Sequence, residues 1–338
     1  MRALTVVAIL AVAGAIAVGM LNCRKTVQAT EAEEAAFARW ATEFGKIYNT
    51  PSERAYRRSV FLKTLLSVQN LNKVNTYRSG LNQFSDMTFE EFLAKYTGLN
   101  KPNSDEKNYA DLSGIEILPA VDWRNQPNVV NPIKNQGQCG SCWAFSATSA
   151  IESAYSLKTT TLYDLSEQQM VDCSSLFGNQ GCNGGWMNRA FLYIKTMGGQ
   201  MKNSDYPYVA QDEKCKFKKA DAVVKISGYT DIPAQNCEAI RTAVNTQPIS
   251  VAIEVTNSFM KYQSGVYTTT ECGTQVNHAV NVVGYNSQPS SGSPYWIVRN
   301  SWGTSWGSQG YILMDMSDTD PKSHGLCAIC DYGTYPTI

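Results

Sequence analysis

The placement of cysteine constrains this chain most. Cys23 stands alone near the start, and the other nine lie between Cys139 and Cys330, so the long stretch between them has none. The front must therefore hold together by packing alone, whereas the rear can be cross-linked in an oxidising compartment. The N-terminus points to such a compartment. Met1-Arg2 precedes the apolar run Ala3 to Leu21, with small-x-small sites such as Ala15-Ile16-Ala17, and Arg24 and Lys25 follow. This is the pattern of a secretory signal peptide, placed at residues 1–22. The alternative is an uncleaved membrane anchor, because the run approaches spanning length. No second apolar stretch of that length follows, which favours the signal and leaves no stable membrane anchor after its removal. There is no Asn-x-Ser/Thr sequon, so sugar-based sorting has no support.

Hydrophobic residues make up 43% of the 338 and charged residues 17%, which suits a folded chain with a sizeable core. Lys+Arg and Asp+Glu are each 29. With no basic excess, a nucleic-acid partner is not expected.

Residues 30 to 116 read as helical. Phe37, Trp40, Phe44 and either Ile47 or Tyr48 recur at helical spacing. Pro51 is expected to interrupt, and Ser52 to cap a second helix. In that helix Glu53, Arg57, Phe61, Thr64, Val68 and Asn72 share one stripe, part polar and part apolar, suited to a specific surface. Gly80, Asn82, Phe84 and Asp86 follow. Periodicity alone leaves two readings, an ordinary helical hairpin domain or a removable segment docked on what comes next.

The chemistry concentrates at Gln136-Gly137-Gln138-Cys139-Gly140-Ser141-Cys142-Trp143. Gly140 and Ser141 suit a turn, Ser141 suits an N-cap, and a buried helix from Trp143 to Leu157 follows. Cys142 then sits in the first helical turn, where the positive end of the dipole favours a thiolate. A thiolate nucleophile needs a base, and the chain has only His278 and His324. His278 opens a strand-like run, whereas His324 lies in a turn-like one, so the rigid setting favours His278. Asn300 could orient its ring through a side-chain hydrogen bond, with Trp302 shielding that bond from water.

Cys139-Gly-Ser-Cys-Trp143 with His278 and Asn300 resembles the papain-like cysteine proteases. The helical stripe is similar to that family's propeptide pattern, departing at Thr64 and Val68, and Gly80, Asn82, Phe84 and Asp86 match its second propeptide motif. Together they resemble the cathepsin L-like branch, made as a prepro-enzyme. The resemblance implies an α+β, two-lobed papain-like fold, with a helical lobe over roughly 125–228 and a β-barrel-like lobe over roughly 229–330. The termini cross between lobes, and a helical propeptide precedes them. It implies an inhibitory propeptide at 23–117, a mature peptidase at 118–338, and cleavage near Ile117 to Ala120. Cys142 is then the nucleophile, His278 its imidazolium partner, Asn300 the orienting amide, and Gln136 an oxyanion-hole donor, a role worth about 3 kcal/mol. It also implies the disulfides Cys139–Cys182, Cys173–Cys215 and Cys272–Cys327. Cys237 and Cys330 are left as a fourth bridge or two buried thiols, and the oxidising compartment favours the bridge.

By the same resemblance Gly184, Gly185 and Trp302 line the substrate cleft. Trp186, Met187, Ala252, Val276, Ala279 and Tyr332 line the pocket for the residue two before the scissile bond. These side chains are apolar, so a medium apolar residue is expected there, and Tyr332 at the floor makes the pocket shallow and unfavourable to Arg. The short run from Cys173 to Cys182 carries no His-His insertion, which favours an endopeptidase. The expected partners are protein and peptide substrates, the chain's own propeptide and cystatin-like inhibitors. The expected state is a monomer without metal or cofactor, in the secretory pathway and then a lysosome, a vacuole or the outside of the cell. Two rival readings use the same residues. Cys139-x-x-Cys142 and Cys327-x-x-Cys330 could form a zinc or dithiol site, and an inactive relative could serve only to bind partners. The joint presence of Gln136, Cys142, His278 and Asn300 weighs against both.

Overall fold

The computed structural model describes residues 30–102, 107–318, 320 and 322–338. The export signal falls outside the described residues. Two compact units divide the chain, one running to Ser67 and including Ser85–Met87, the other comprising Val68–Phe84 and Thr88–Ile338.

The first unit is built on helix α1 (30–43) and most of helix α2 (Pro51–Val74). Thr50, not Ser52, caps α2. The Glu53 N–H donates to Thr50 Oγ1 at 3.1 Å, and the Glu53 carboxylate accepts from the Asn49 N–H at 3.0 Å. Pro51 occupies the first helical position, where its missing N–H has no helical partner to lose, so it starts the helix instead of interrupting the pattern. Phe37, Trp40 and Phe61 are buried together, with Trp40 and Phe61 ring centroids 4.9 Å apart. Tyr48, not Ile47, completes the cluster by stacking on Phe37; Ile47 is 87% exposed. Asp86 ties the unit together, accepting from Lys46 Nζ and the Tyr48 hydroxyl at 3.0 Å each, while its carbonyl accepts from Arg57.

The second unit carries helices α3 (Phe89–Tyr96), α4 (Cys142–Thr159), α5 (Glu167–Cys173), α6 (Met187–Met197), α7 (Cys237–Val244) and α8 (Asn257–Met260). Its strands are β1 (Arg78–Ser79), β2 (Ala120–Asp122), β3 (Gln200–Met201), β4 (Ala222–Val224), β5 (Gly228–Asp231), β6 (Ile249–Ile253), β7 (Tyr262–Ser264), β8 (Val266–Tyr267), β9 (His278–Asn286), β10 (Tyr295–Arg299), β11 (Tyr311–Asp315) and β12 (Gly333–Thr337). Eight of them form one sheet in the order β5-β12-β6-β9-β10-β11-β8, with β2 added to β9. The pairings are antiparallel except β11 with β8. This is the α+β architecture expected from the sequence, a helical half and a sheet half.

Helix α4 joins the halves. Most of its side chains are buried, as a helix enclosed on all sides requires. Buried polar bonds fix its position against the sheet. Ser146 Oγ donates to the Val280 carbonyl at 2.9 Å, and the Ser146 carbonyl accepts from Asn281 Nδ2 and Ser250 Oγ. Arg299, the last residue of β10, donates to Ser149 Oγ and to the carbonyls of Asn131 and Pro132. The start of α4 is thereby held against β9, and the end of β10 against α4.

Four disulfides close loops in this unit. Cys139–Cys182, Cys173–Cys215 and Cys272–Cys327 pair as the resemblance implies, and Cys237–Cys330 forms the fourth bridge. Cys142 is the free cysteine among the described residues. Among those residues no group of three or more His, Cys, Asp or Glu side chains could hold a metal ion, and no helix is long and apolar enough to cross a membrane.

Candidate active site

Cys142 is the first residue of α4, His278 the first of β9, and Asn300 follows the last residue of β10. Antiparallel pairing of β9 with β10 brings the start of one to the end of the other. All three side chains are buried. Ser141 precedes the helix as expected, but its hydroxyl bonds the Tyr208 hydroxyl at 2.7 Å and makes no capping bond, so the first-turn N–H groups of α4 stay free of a side-chain cap.

The hydrogen bonds fix which imidazole nitrogen carries the proton. The Ser301 N–H donates to Asn300 Oδ1 at 2.8 Å. A backbone N–H can only donate, so that atom of Asn300 is the oxygen. The same oxygen lies 2.8 Å from His278 Nε2, which must therefore carry the proton. Nδ1 is left with its lone pair, and among the described residues it has no hydrogen-bond partner. Trp302 stacks on the imidazole at 4.6 Å between centroids and is fully buried, so water is kept from the His278–Asn300 bond.

Gln136 is equally fixed. Two carbonyls, which can only accept, face one end of its amide, so that end is the Nε2 donor, and the other end, Oε1, accepts from Ser301 Oγ at 2.7 Å. That donor is engaged with the carbonyls of Cys139 at 2.8 Å and Tyr96 at 3.2 Å. Ser301 thus orients both amides, Asn300 through its backbone and Gln136 through its hydroxyl. Sequence reasoning did not single it out. The only signal was its place between Asn300 and Trp302.

The segment after α3 lies across these groups. α3 starts with a reciprocal cap between Thr88 and Glu91 and ends at Thr97. The chain then extends. The N–H groups of Gly98 and Leu99 donate to the Asn277 carbonyl, Gly185 N–H donates to the Gly98 carbonyl at 2.9 Å, and Asn100 N–H donates to the Gly185 carbonyl at 2.9 Å. Leu99 bridges Gly185 in the parallel sense. The approach demands glycine, since a Cβ on Gly98 would stand 2.1 Å from the Gly140 carbonyl oxygen. Gly184, at φ +116°, has Asn100 and Gly98 in the same tight space. Leu99 packs into one apolar cluster with Trp186, Met187, Ala252 and Ala279, and Val276 and Tyr332 pack against it. Tyr332 meets Trp186 edge-on, and its hydroxyl accepts from Lys101 Nζ at 2.6 Å.

Burial and nearby backbone N–H groups set the electrostatics. Burial pushes the Cys142 thiol up to about 11, although backbone N–H groups of Ala279, Gly98, Trp143 and Cys142 itself pull it back. Burial lowers His278 to about 4, against the opposing effect of the Asn300 bond. Both groups are therefore neutral at pH 7 while the segment is in place. The sulfur also faces the Gly98 N–H, which offers no carbon to attack.

Comparison with known proteins agrees with this geometry. Residues 118–337 match the model of the papain family of cysteine proteases, and residues 37–92 match that of the cathepsin propeptide inhibitor domain. The chain is 42% identical over 318 residues to germination-specific cysteine protease 1 of Arabidopsis thaliana, covering 89% of this chain and 83% of the relative. It is 39% identical over 332 residues to pro-cathepsin H of Bos taurus, covering 96% of each. The solved structure of a recombinant stem bromelain precursor superposes with a TM-score of 0.83 at 38% identity, covering 91% of this chain and 99% of that one. The chain belongs to the papain family of cysteine proteases and is a zymogen, with the peptidase and its cathepsin-type propeptide inhibitor in one polypeptide.

Proposed function

We propose that the matured chain is an endopeptidase in which Cys142 is the nucleophile, His278 the acid–base, Asn300 the orienting amide and Gln136 the oxyanion donor. The tautomer of His278 carries this reading: Asn300 and Ser301 hold the proton on Nε2, so Nδ1 is the atom free to take the thiol proton. The thiolate attacks the scissile carbonyl carbon, a C–S bond forms, and the carbonyl electron pair moves onto oxygen, where Gln136 Nε2 and the Cys142 N–H stabilise it. Protonated His278 gives its proton to the leaving amine as the C–N bond breaks. Water, deprotonated by His278, then attacks the thioester, releasing the acid product and the thiol.

The proregion is assigned to 23–117 and the mature enzyme to 118–338, after a signal peptide at 1–22. The mature enzyme divides into a helical lobe near 125–228 and a barrel-like lobe near 229–330, and acts as a monomer. While attached, the proregion blocks both ends of the chemistry. Tyr96 occupies the Gln136 donor, and Gly98 covers the sulfur. Leu99 supports the specificity assignment, because the proregion puts a leucine among Trp186, Met187, Ala252 and Ala279. Burying such a side chain favours binding by about 1.5–3 kcal/mol. Tyr332 limits the depth, so Leu or Val is preferred and Arg disfavoured. A cystatin-like inhibitor would fill the same cleft. The signal-like N-terminal sequence and the disulfides support a secretory-pathway enzyme, with a lysosome or vacuole or the extracellular space as its destination.

The test compares matured wild type with Cys142→Ser on fluorogenic peptides carrying Leu or Arg two residues before the cleaved bond. The expected result is faster turnover of the Leu peptide, and none by Cys142→Ser. Residual turnover by that variant would overturn the assignment of Cys142, and a preference for Arg would overturn the pocket.

A further inference from the structure

The proregion makes a second set of contacts beyond the cleft. Strand β5 lies at one edge of the large sheet, and residues 107–110 pair with it. The Asp231 N–H donates to the Asn108 carbonyl at 2.7 Å, the Ala110 N–H donates to the Asp231 carbonyl at 2.9 Å, and Asn108 Nδ2 donates to the Tyr229 carbonyl at 3.2 Å. The Asp231 side chain reads the same segment. It accepts from Lys107 Nζ at 3.3 Å and from the Asn108 N–H at 3.2 Å, and Asn188 Nδ2 braces it from behind at 2.7 Å. Asp231 is only 2% exposed under this cover. When the proregion leaves, the edge loses these partners, and of the side-chain partners named here the Asp231 carboxylate keeps the Asn188 amide. Unpaired edge groups and a carboxylate that has lost its lysine form a site for a peptide strand with a cation.

We infer that the β5 edge at Asp231 is an exosite of the matured enzyme for an extended, lysine-bearing segment of the protein substrate, on the N-terminal side of the cleaved bond. This rests on the proposed specificity pocket and proregion boundary. Continuity with the cleft supports it. Leu99 fills the pocket for the residue two before the scissile bond, with Gly98 toward Cys142 and the chain leading the other way to Lys107. From Asn100, bonded to Gly185, to Lys107 is a run of seven residues, a span of at most about 25 Å. One polypeptide can therefore engage both places, and the second contact becomes intramolecular once the first is made.

The test uses matured enzyme and two fluorogenic peptides. Both have Leu two residues before the cleaved bond and a flexible Gly/Ser extension N-terminal to it. One carries Lys eight residues before the Leu, and the other carries Ala there. An unextended Leu peptide serves as the control for the cleft itself. The expected result is a kcat/KM about tenfold higher for the Lys peptide than for the Ala peptide, carried by KM and diminishing at high salt. Asp231→Asn should remove that advantage while cleaving the unextended peptide at the wild-type rate. Equal cleavage of the Lys and Ala peptides by wild type, or an advantage that survives in Asp231→Asn, overturns the inference. Failure of the unextended peptide would instead count against the cleft assignment.

Discussion

Ser301 shows how few atoms set the chemistry at the residue scale. Its backbone fixes the Asn300 oxygen, and its hydroxyl fixes the Gln136 oxygen. Ser301→Ala keeps the first bond and leaves a buried Gln136 acceptor without its donor, a defect worth about 1–3 kcal/mol. We expect kcat to fall about tenfold with KM nearly unchanged, measured on a Leu peptide. Gln136→Ala removes the proposed oxyanion donor itself and should cost about 10²–10³ in kcat. The sequence pointed to Cys142, His278 and Asn300 because a thiolate needs a base and the base an orienting partner, and the family resemblance added Gln136. It did not point to Ser301, whose hydroxyl partner Gln136 lies far off in the chain and becomes visible only when β10 ends beside the Gln136 loop. Nor did it reveal the Tyr96 carbonyl, since a backbone group has no signature in sequence.

Among the elements, α4 carries Cys142, the proposed nucleophile, and it is anchored by buried charge as well as by packing. Lys134 Nζ meets Glu152 at 2.9 Å, Glu167 at 2.7 Å and Asp164 at 2.6 Å. The two glutamates are almost wholly buried, so Lys134→Met leaves them without a cation and should destabilise the fold by about 3–5 kcal/mol, read from denaturant unfolding. The fourth disulfide ties the first residue of α7 to Cys330, two residues before Tyr332. Replacing both Cys237 and Cys330 with Ser should cost about 2–4 kcal/mol in the same measurement. The two front helices were legible from their spacing and α4 from the turn before Cys142, whereas the remaining, shorter helices were not read from the sequence. Helix ends were less legible, because Thr50 and Ser52 are both good caps and only the chain direction into α2 decides between them. The pairing of Cys237 with Cys330 was open for a related reason: spacing along the chain says little about which sulfurs meet.

For the whole molecule, pH acts on two buried groups in opposite directions. His278 is lowered to about 4 under the proregion, from a free value near 6.5. The folded state thus binds fewer protons than the unfolded one between these values. Its stability is full above about pH 6.5 and declines as pH falls toward 4, by up to about 1.4 kcal/mol per pH unit. Glu167 is raised to about 7, chiefly by burial and then by Glu152, against the pull of Lys134. A raised carboxyl stabilises the folded state at acid pH, and that contribution is lost as pH rises through 7. Glu167 therefore favours the folded state on the acid side of pH 7, and His278 opposes it below about pH 6.5. Thermal unfolding of matured enzyme should rise in midpoint from pH 8 to pH 5, and Glu167→Gln should flatten that rise.

The central claim is that the cover holds Cys142 and His278 neutral, and that the reactive pair forms only when the proregion leaves. Alkylation of Cys142 by iodoacetamide across pH tests it most directly, because the other described cysteines are in disulfides. The account predicts slow alkylation of the zymogen at neutral pH, rising only toward pH 11, and fast alkylation of the matured enzyme well below pH 7. Identical pH profiles for the two forms would contradict it.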